Sequence, residues 1–410
     1  MKAFFSLHSL LVPLFVVNVL HAQHPFKYDS GIYRTVYLQD AVSMMDSLQN
    51  FLLIDVRTPG EFRDTSRATA LNIGRLKGAV NISVDSVPAR LTELRKYKNE
   101  PIFIYCSHSQ RSRRMSKLLV ENGFQKIYNI NGGLTLLNEA DAREFPFKDS
   151  MLLTSLDYTH IASVQALDLI KAGRNLVIID IRTGREFNSK DSVQRNNIGR
   201  LKNALNIPQS AFAERTARIG YPQNTVFLVY DQFGYNSMDV IPILRMKGYT
   251  KIYNLFGGLN ALIADHKVNP ELIRDFMADA PTYIPVDAAS CIQLLNSEPD
   301  LLILDTRPLS EFDNRDSLSY RNLGIIRGAV HLSSPDSLNI FLRSRKKTEP
   351  VLVYGSNSDL GVLTCLRLRK EGYTQVFYLQ KGFYDLVWSA ANVKECRDGR
   401  QWLTRHEGLY

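Results

Sequence analysis

A cysteine and an arginine stand five positions apart at the end of an apolar run, where Ile102-Phe103-Ile104-Tyr105 leads into Cys106-Ser107-His108-Ser109-Gln110-Arg111-Ser112. A short apolar run bounded by a polar loop and then an amphipathic stretch reads as strand, turn and helix, which sets the thiol just before a helix start. Backbone N–H groups and the positive end of the helix dipole then face the sulfur, and both favour the thiolate, the nucleophilic form, over the thiol. Arg111 adds a cation able to hold an anionic donor. Cys106 and Arg111 are therefore the candidate catalytic pair, and Ser107, His108, Ser109, Gln110 and Ser112 are the candidate walls of an anion cradle. Nothing in this pattern calls for a metal or a cofactor.

The elements that must hold such a loop occur three times. Asp55, Asp180 and Asp305 follow one another at a stride of 125 residues, and each opens an Asp-x-Arg string ending in Arg57, Arg182 or Arg307. Glu61, Glu186 and Glu311, each followed by phenylalanine, keep the same stride, as do Gly74, Gly199 and Gly324. Solenoid repeats run to about 20 to 50 residues, so a stride this long means tandem domains. The copies also serve as an internal control, because what all three share belongs to the fold. Asp55, Arg57 and Glu61 are accordingly assigned to bracing. At the critical loop, copy two carries Asp231 and Asn236, and copy three carries Gly355 and Leu360. Thiol and guanidinium occur together once, so copies two and three read as non-catalytic.

Each copy begins with an amphipathic helix, as in Ala41, Met44, Met45 and Leu48, and continues with a wholly apolar run such as residues 51–56. After the loop come a second helix carrying Met115, Leu118 and Leu119, a stop at Gly123-Phe124, a further strand over 126–130, and the pair Gly132-Gly133. Apolar runs alternating with helices imply a parallel sheet covered by helices on both faces, an α/β architecture. In such sheets ligands bind beyond the carboxyl ends of the strands, where Cys106 falls. The expected domains span residues 30–146, 155–271 and 280–395, with a C-terminal tail from 396 to 410.

Taken in order, Ile54-Asp55-Val56-Arg57, Glu61-Phe62, Gly74 to Ile82, Tyr105-Cys106 with Arg111-Ser112, and Gly123-Phe124 to Gly132-Gly133 resemble a rhodanese domain. The resemblance covers residues 35–395 as three copies, with Gly74-Arg75-Leu76 where the family commonly has Gly-His-Ile, and Ser109 where it often has glycine. It implies a sulfurtransferase in which Cys106 captures the outer sulfur of thiosulfate or a polysulfide as a persulfide and passes it to cyanide or a thiol. The implied partners are a small sulfur-donor anion and a thiol acceptor, a protein thiol included. Cysteine phosphatases and arsenate reductases of similar architecture usually enclose five residues between cysteine and arginine; the four here form a tighter cradle, better suited to sulfur than to phosphate. The alternative is a non-catalytic binding scaffold or thiol redox sensor built from the same modules.

Length and composition suit three globular domains: 410 residues, 45% hydrophobic and 22% charged. The first residues read as an export signal, with Lys2, an apolar run over 4–20, and a cleavage site after Leu20-His21-Ala22. This signal peptide, residues 1–22, places the mature chain in the periplasm or outside the cell; left uncleaved, it would be a membrane anchor. Removing it lowers the net charge from +9 to +8, Lys2 being its single charged residue. Basic residues are scattered, and the one tight run, Arg343 to Lys347, reads as a solvated connection, so nucleic-acid binding is not expected. Cys291 and Cys365 fall in helical runs and read as buried free thiols, with pairing of either to Cys396 in the tail as the alternative. Oligomeric state leaves no signature.

Overall fold

The computed structural model describes residues 32–404 apart from 219, 333–337, 339–341, 343–344 and 357. The expected signal segment, residues 1–22, lies outside the described residues, as do Arg343 and Ser344 of the basic run, whose Arg345, Lys346 and Lys347 are exposed. No described helix is long and apolar enough to cross a membrane.

The apolar runs become strands buried on both faces, with alternate side chains feeding two layers. In copy one, Leu53, Phe103 and Tyr105 meet Ala41, Met45, Leu134 and Leu137 from helices Leu38–Asp46 and Gly133–Glu139. Their neighbours Ile54, Ile102 and Ile104 meet Val87, Leu94, Met115 and Leu119 from helices Val87–Leu94 and Gln110–Glu121. The five strands are all parallel and lie in the order Arg34–Val36, Ile127–Ile130, Ile102–Tyr105, Leu52–Asp55, Val80–Asn81. Copies two and three repeat this order around central strands Val226–Tyr230 and Val351–Tyr354. The fold is therefore α/β, three parallel sheets each covered by helices on both sides.

The shared residues do one job three times. Arg57 is buried against Asp55, with Nη2 2.8 Å from the carboxylate and 2.6 Å from the Gly74 carbonyl oxygen. Arg182 and Arg307 repeat both bonds, to Asp180 and Gly199 and to Asp305 and Gly324. Each glycine has positive φ, and a Cβ on any of them would run into the backbone of the segment leaving its own copy: Leu153, Ala278 or Thr404. In copies one and two that segment forms a two-residue antiparallel strand against the glycine's neighbours, Leu152–Leu153 on Arg75–Leu76 and Met277–Ala278 on Arg200–Leu201. The residues expected as a tail behave likewise, the turn Lys394–Trp402 leading to Leu403, which bridges to Ile326.

All four cysteines are free and buried. Cys291 and Cys396 share the copy-three core, and Cys365 lies in its other layer.

The copies touch pairwise. Ile179, Phe212, Phe227 and Ile241 of copy two join the first apolar layer of copy one in one continuous cluster. Copy two meets copy three through Arg195 and Asp359, 3.3 Å apart, and through Gln380 and Asn260. Copy three returns to copy one, where Arg113 donates to Asn392 at 3.0 Å and Asn131 donates to the Ala391 carbonyl oxygen. The chain thus closes on itself.

Candidate active site

Cys106 terminates the central strand of copy one, at the carboxyl edge of the sheet. The loop that follows is held from beneath by the paired glycines: Leu134 N–H donates to the Cys106 carbonyl oxygen and Thr135 N–H to that of Ser107, both at 3.1 Å. Gly133 is obligatory here, since a Cβ would collide with the Cys106 carbonyl oxygen. Ser109 turns the loop into the helix with φ of 78°, and its hydroxyl accepts from Gly132 N–H at 2.7 Å. Ser112 is pinned through its hydroxyl to Asn129 at 2.6 Å. Both hydroxyls are committed to the scaffold, so what Ser109 and Ser112 offer a ligand is backbone N–H.

Copy two displays what that backbone can do. There Asp231 replaces the cysteine, and its carboxylate accepts from the N–H groups of Phe233 at 2.7 Å and of Gly234 and Ser237 at 2.8 Å. Three amides converge on an anion attached at the end of the strand, a backbone nest. The same positions in copy one are His108, Ser109 and Ser112 around Cys106. Copy three is closed differently: at Gly355 a Cβ would stand 2.7 Å from Thr306 Oγ1, which donates to the Tyr354 carbonyl oxygen.

Arg111 reaches over the loop. Its two terminal nitrogens each lie 2.7 Å from a Glu61 oxygen, and Nη2 is 3.3 Å from Ser107 Oγ. Glu61 also accepts from Thr58 N–H and hydroxyl, at 2.9 and 2.8 Å. Burial alone would raise the Glu61 pKa; Arg111 outweighs it and holds the carboxyl below its ordinary value. For Arg111, burial works against the cation, while Glu61 and the nearby Cys106 sulfur favour it and the balance is upward. Sequence reasoning placed Glu61 with the braces, because glutamate recurs in every copy. Its second role was hidden: only copy one has a guanidinium for it to hold.

Cys106 is 1% exposed. His108 Nε2 lies 3.1 Å from Thr135 Oγ1, and burial lowers its pKa. Arg113 is spent on the contact with copy three, and Arg114 pairs at the surface with Asp85, so Arg111 is the cation of the loop.

Comparison with known proteins gives one answer. The rhodanese-like domain family matches residues 38–140, 163–265 and 287–388. The uncharacterized protein YqhL of Bacillus subtilis is 30% identical over 126 residues, covering 31% of this chain and 89% of that protein. The thiosulfate sulfurtransferase GlpE of Tolumonas auensis is 25% identical over 101 residues, 25% of this chain and 84% of GlpE. A tRNA uridine(34) hydroxylase of Buchnera aphidicola is 28% identical over 100 residues, 23% of this chain; the match spans only 29% of that protein.

Proposed function

Because the chain belongs to the rhodanese-like sulfurtransferase family, we propose that it moves a sulfane sulfur from thiosulfate or a polysulfide to a thiol or cyanide through a persulfide on Cys106. The Cys106 thiolate attacks the outer sulfur of thiosulfate, the S–S bond of the donor breaks, and sulfite leaves with the electron pair. An acceptor thiolate then takes the outer sulfur and Cys106 departs as thiolate, so the cycle needs no external oxidant. The nest that binds the Asp231 carboxylate in copy two carries this reading, since it shows an anion held at the position of the cysteine. A persulfide in that nest is stabilised by the same N–H groups, with Arg111 beside it.

Incubating the purified chain with thiosulfate should add about 32 Da, one sulfur atom, to the Cys106 peptide. Cys106→Ser should abolish both the adduct and transfer to cyanide. No adduct on a folded, reduced chain would overturn the proposal. The near-complete burial of Cys106 and the grip of Glu61 on Arg111 favour the non-catalytic scaffold alternative, which that outcome would support. Export is part of the proposal and rests on Lys2 and the apolar run over 4–20. The intact mass recorded in the same experiment, on chain recovered from its native host, should correspond to a start at Gln23.

A further inference from the structure

Residues from all three copies line one cavity of about 570 Å³. His108 and Gln110 of the cysteine loop form part of its wall. Five aromatic side chains share it: Phe233 and Tyr235 from copy two, Tyr378, Tyr384 and Trp388 from copy three. This aromatic wall is fastened to the cysteine loop, for the Trp388 indole N–H donates to the His108 carbonyl oxygen at 3.3 Å and the two rings meet edge-on. Phe233, Tyr235 and Tyr384 are about half exposed, a concentration of uncovered ring surface that the folding of each copy alone does not explain.

Two acidic and two basic side chains line the cavity: Glu139 and Asp385, Arg195 and Lys381. Arg195 is matched by Asp359, and Lys381 by Glu139 with a separation of 3.0 Å. Among the described residues the Asp385 carboxylate has no hydrogen bond or ion pair of its own. Burial raises its pKa to about 6, while Lys381 pulls it down. A carboxylate in an enclosed space whose neighbouring base, Lys381, is already bonded to Glu139 favours a further countercharge, and aromatic faces favour that countercharge being a cation on an organic body.

We propose that this chamber binds a small organic cation, an amine or quaternary ammonium, with its charge against Asp385 and its body against Tyr235, Tyr384 and Trp388. Resting on the sulfur-transfer reading, the occupant is the acceptor: a thiol that carries a positive nitrogen. Its thiolate meets the outer sulfur at the loop that walls the chamber, forming a new S–S bond as the Cys106 persulfide bond breaks and Cys106 leaves as thiolate.

The binding step can be tested without sulfur chemistry. Benzyltrimethylammonium titrated into the full chain should bind saturably, read by calorimetry and by quenching of tryptophan fluorescence. Cys106→Ser should bind it equally well, whereas Asp385→Asn and Tyr235→Ala should each weaken it about ten-fold. Should Asp385→Asn fail to fold, Tyr235→Ala decides, since its side chain is half exposed and lines the cavity. Absence of saturable binding, equal binding of neutral benzyl alcohol, or unchanged affinity in the folded variants would overturn the proposal. Because the probe carries no sulfur, that failure would leave persulfide formation standing, and a missing persulfide would leave the binding standing.

Discussion

Three glutamates that look interchangeable in the sequence are told apart by the charges they face. Glu61 has Arg111; burial would raise its pKa, but the guanidinium lowers it below the ordinary 4.5. Copy three has Leu360 where copy one has Arg111, and burial raises the Glu311 pKa. A depressed carboxyl stabilises the fold above its unfolded pKa and loses that contribution as pH falls through the folded value; a raised one works in the opposite direction. Glu61→Gln should therefore cost about 2 kcal/mol at pH 7, moderated by the partial exposure of Arg111. Glu186→Gln should cost less than about 0.5 kcal/mol, because an amide oxygen can still accept from Thr183 and no arginine is deserted. Denaturant titration of both variants checks the difference, and equal losses would show that Arg111 gains nothing from Glu61. Cys106 and Arg111 were legible as the thiol and guanidinium that occur together once. The partnership of Glu61 was not, since counting recurrences reveals which residues are shared but not what each one meets.

Among the elements, the strands were readable because residues buried on both faces leave an unbroken apolar signature. The two-residue strands that close copies one and two were not, as two residues carry no period. Their presence explains the recurring glycines better than turn geometry alone. At Gly199, with φ of 76°, a Cβ would stand 2.6 Å from the Ala278 carbonyl oxygen, so the antiparallel pair can form only over a bare α-carbon. Gly199→Ala should destabilise copy two by at least about 2 kcal/mol through left-handed strain and displacement of that strand. Gly220→Ala, where a Cβ meets nothing within 4 Å, is the control. A thermal melt in which the two variants behave alike would refute the close-approach argument.

For the whole molecule, the domain count was legible from the stride, but the docking of the copies was not, because contacts between residues more than a hundred positions apart leave no local pattern. One junction ties the array together. His266, near the end of copy two, lies 2.6 Å from Asp287 of copy three and 3.3 Å from Glu395 of the closing turn. Burial alone would lower its pKa, but those two carboxylates raise it to about 10. A folded pKa above the unfolded 6.5 means that the contribution is complete below about pH 6.5 and fades as pH climbs toward 10. The wild-type chain should therefore lose stability across that interval more steeply than His266→Gln, measured by denaturant titration at stepped pH. Parallel profiles would show the junction to be electrostatically idle.

The indole that caps the cysteine loop lies 280 residues downstream of the carbonyl it binds. Ribosomes deliver about 5 to 20 residues per second, so that loop waits roughly a quarter of a minute to a minute before its cap is even synthesised. The loop therefore exists long before its indole partner, and the cavity lined by all three copies is among the last parts of the protein to be completed.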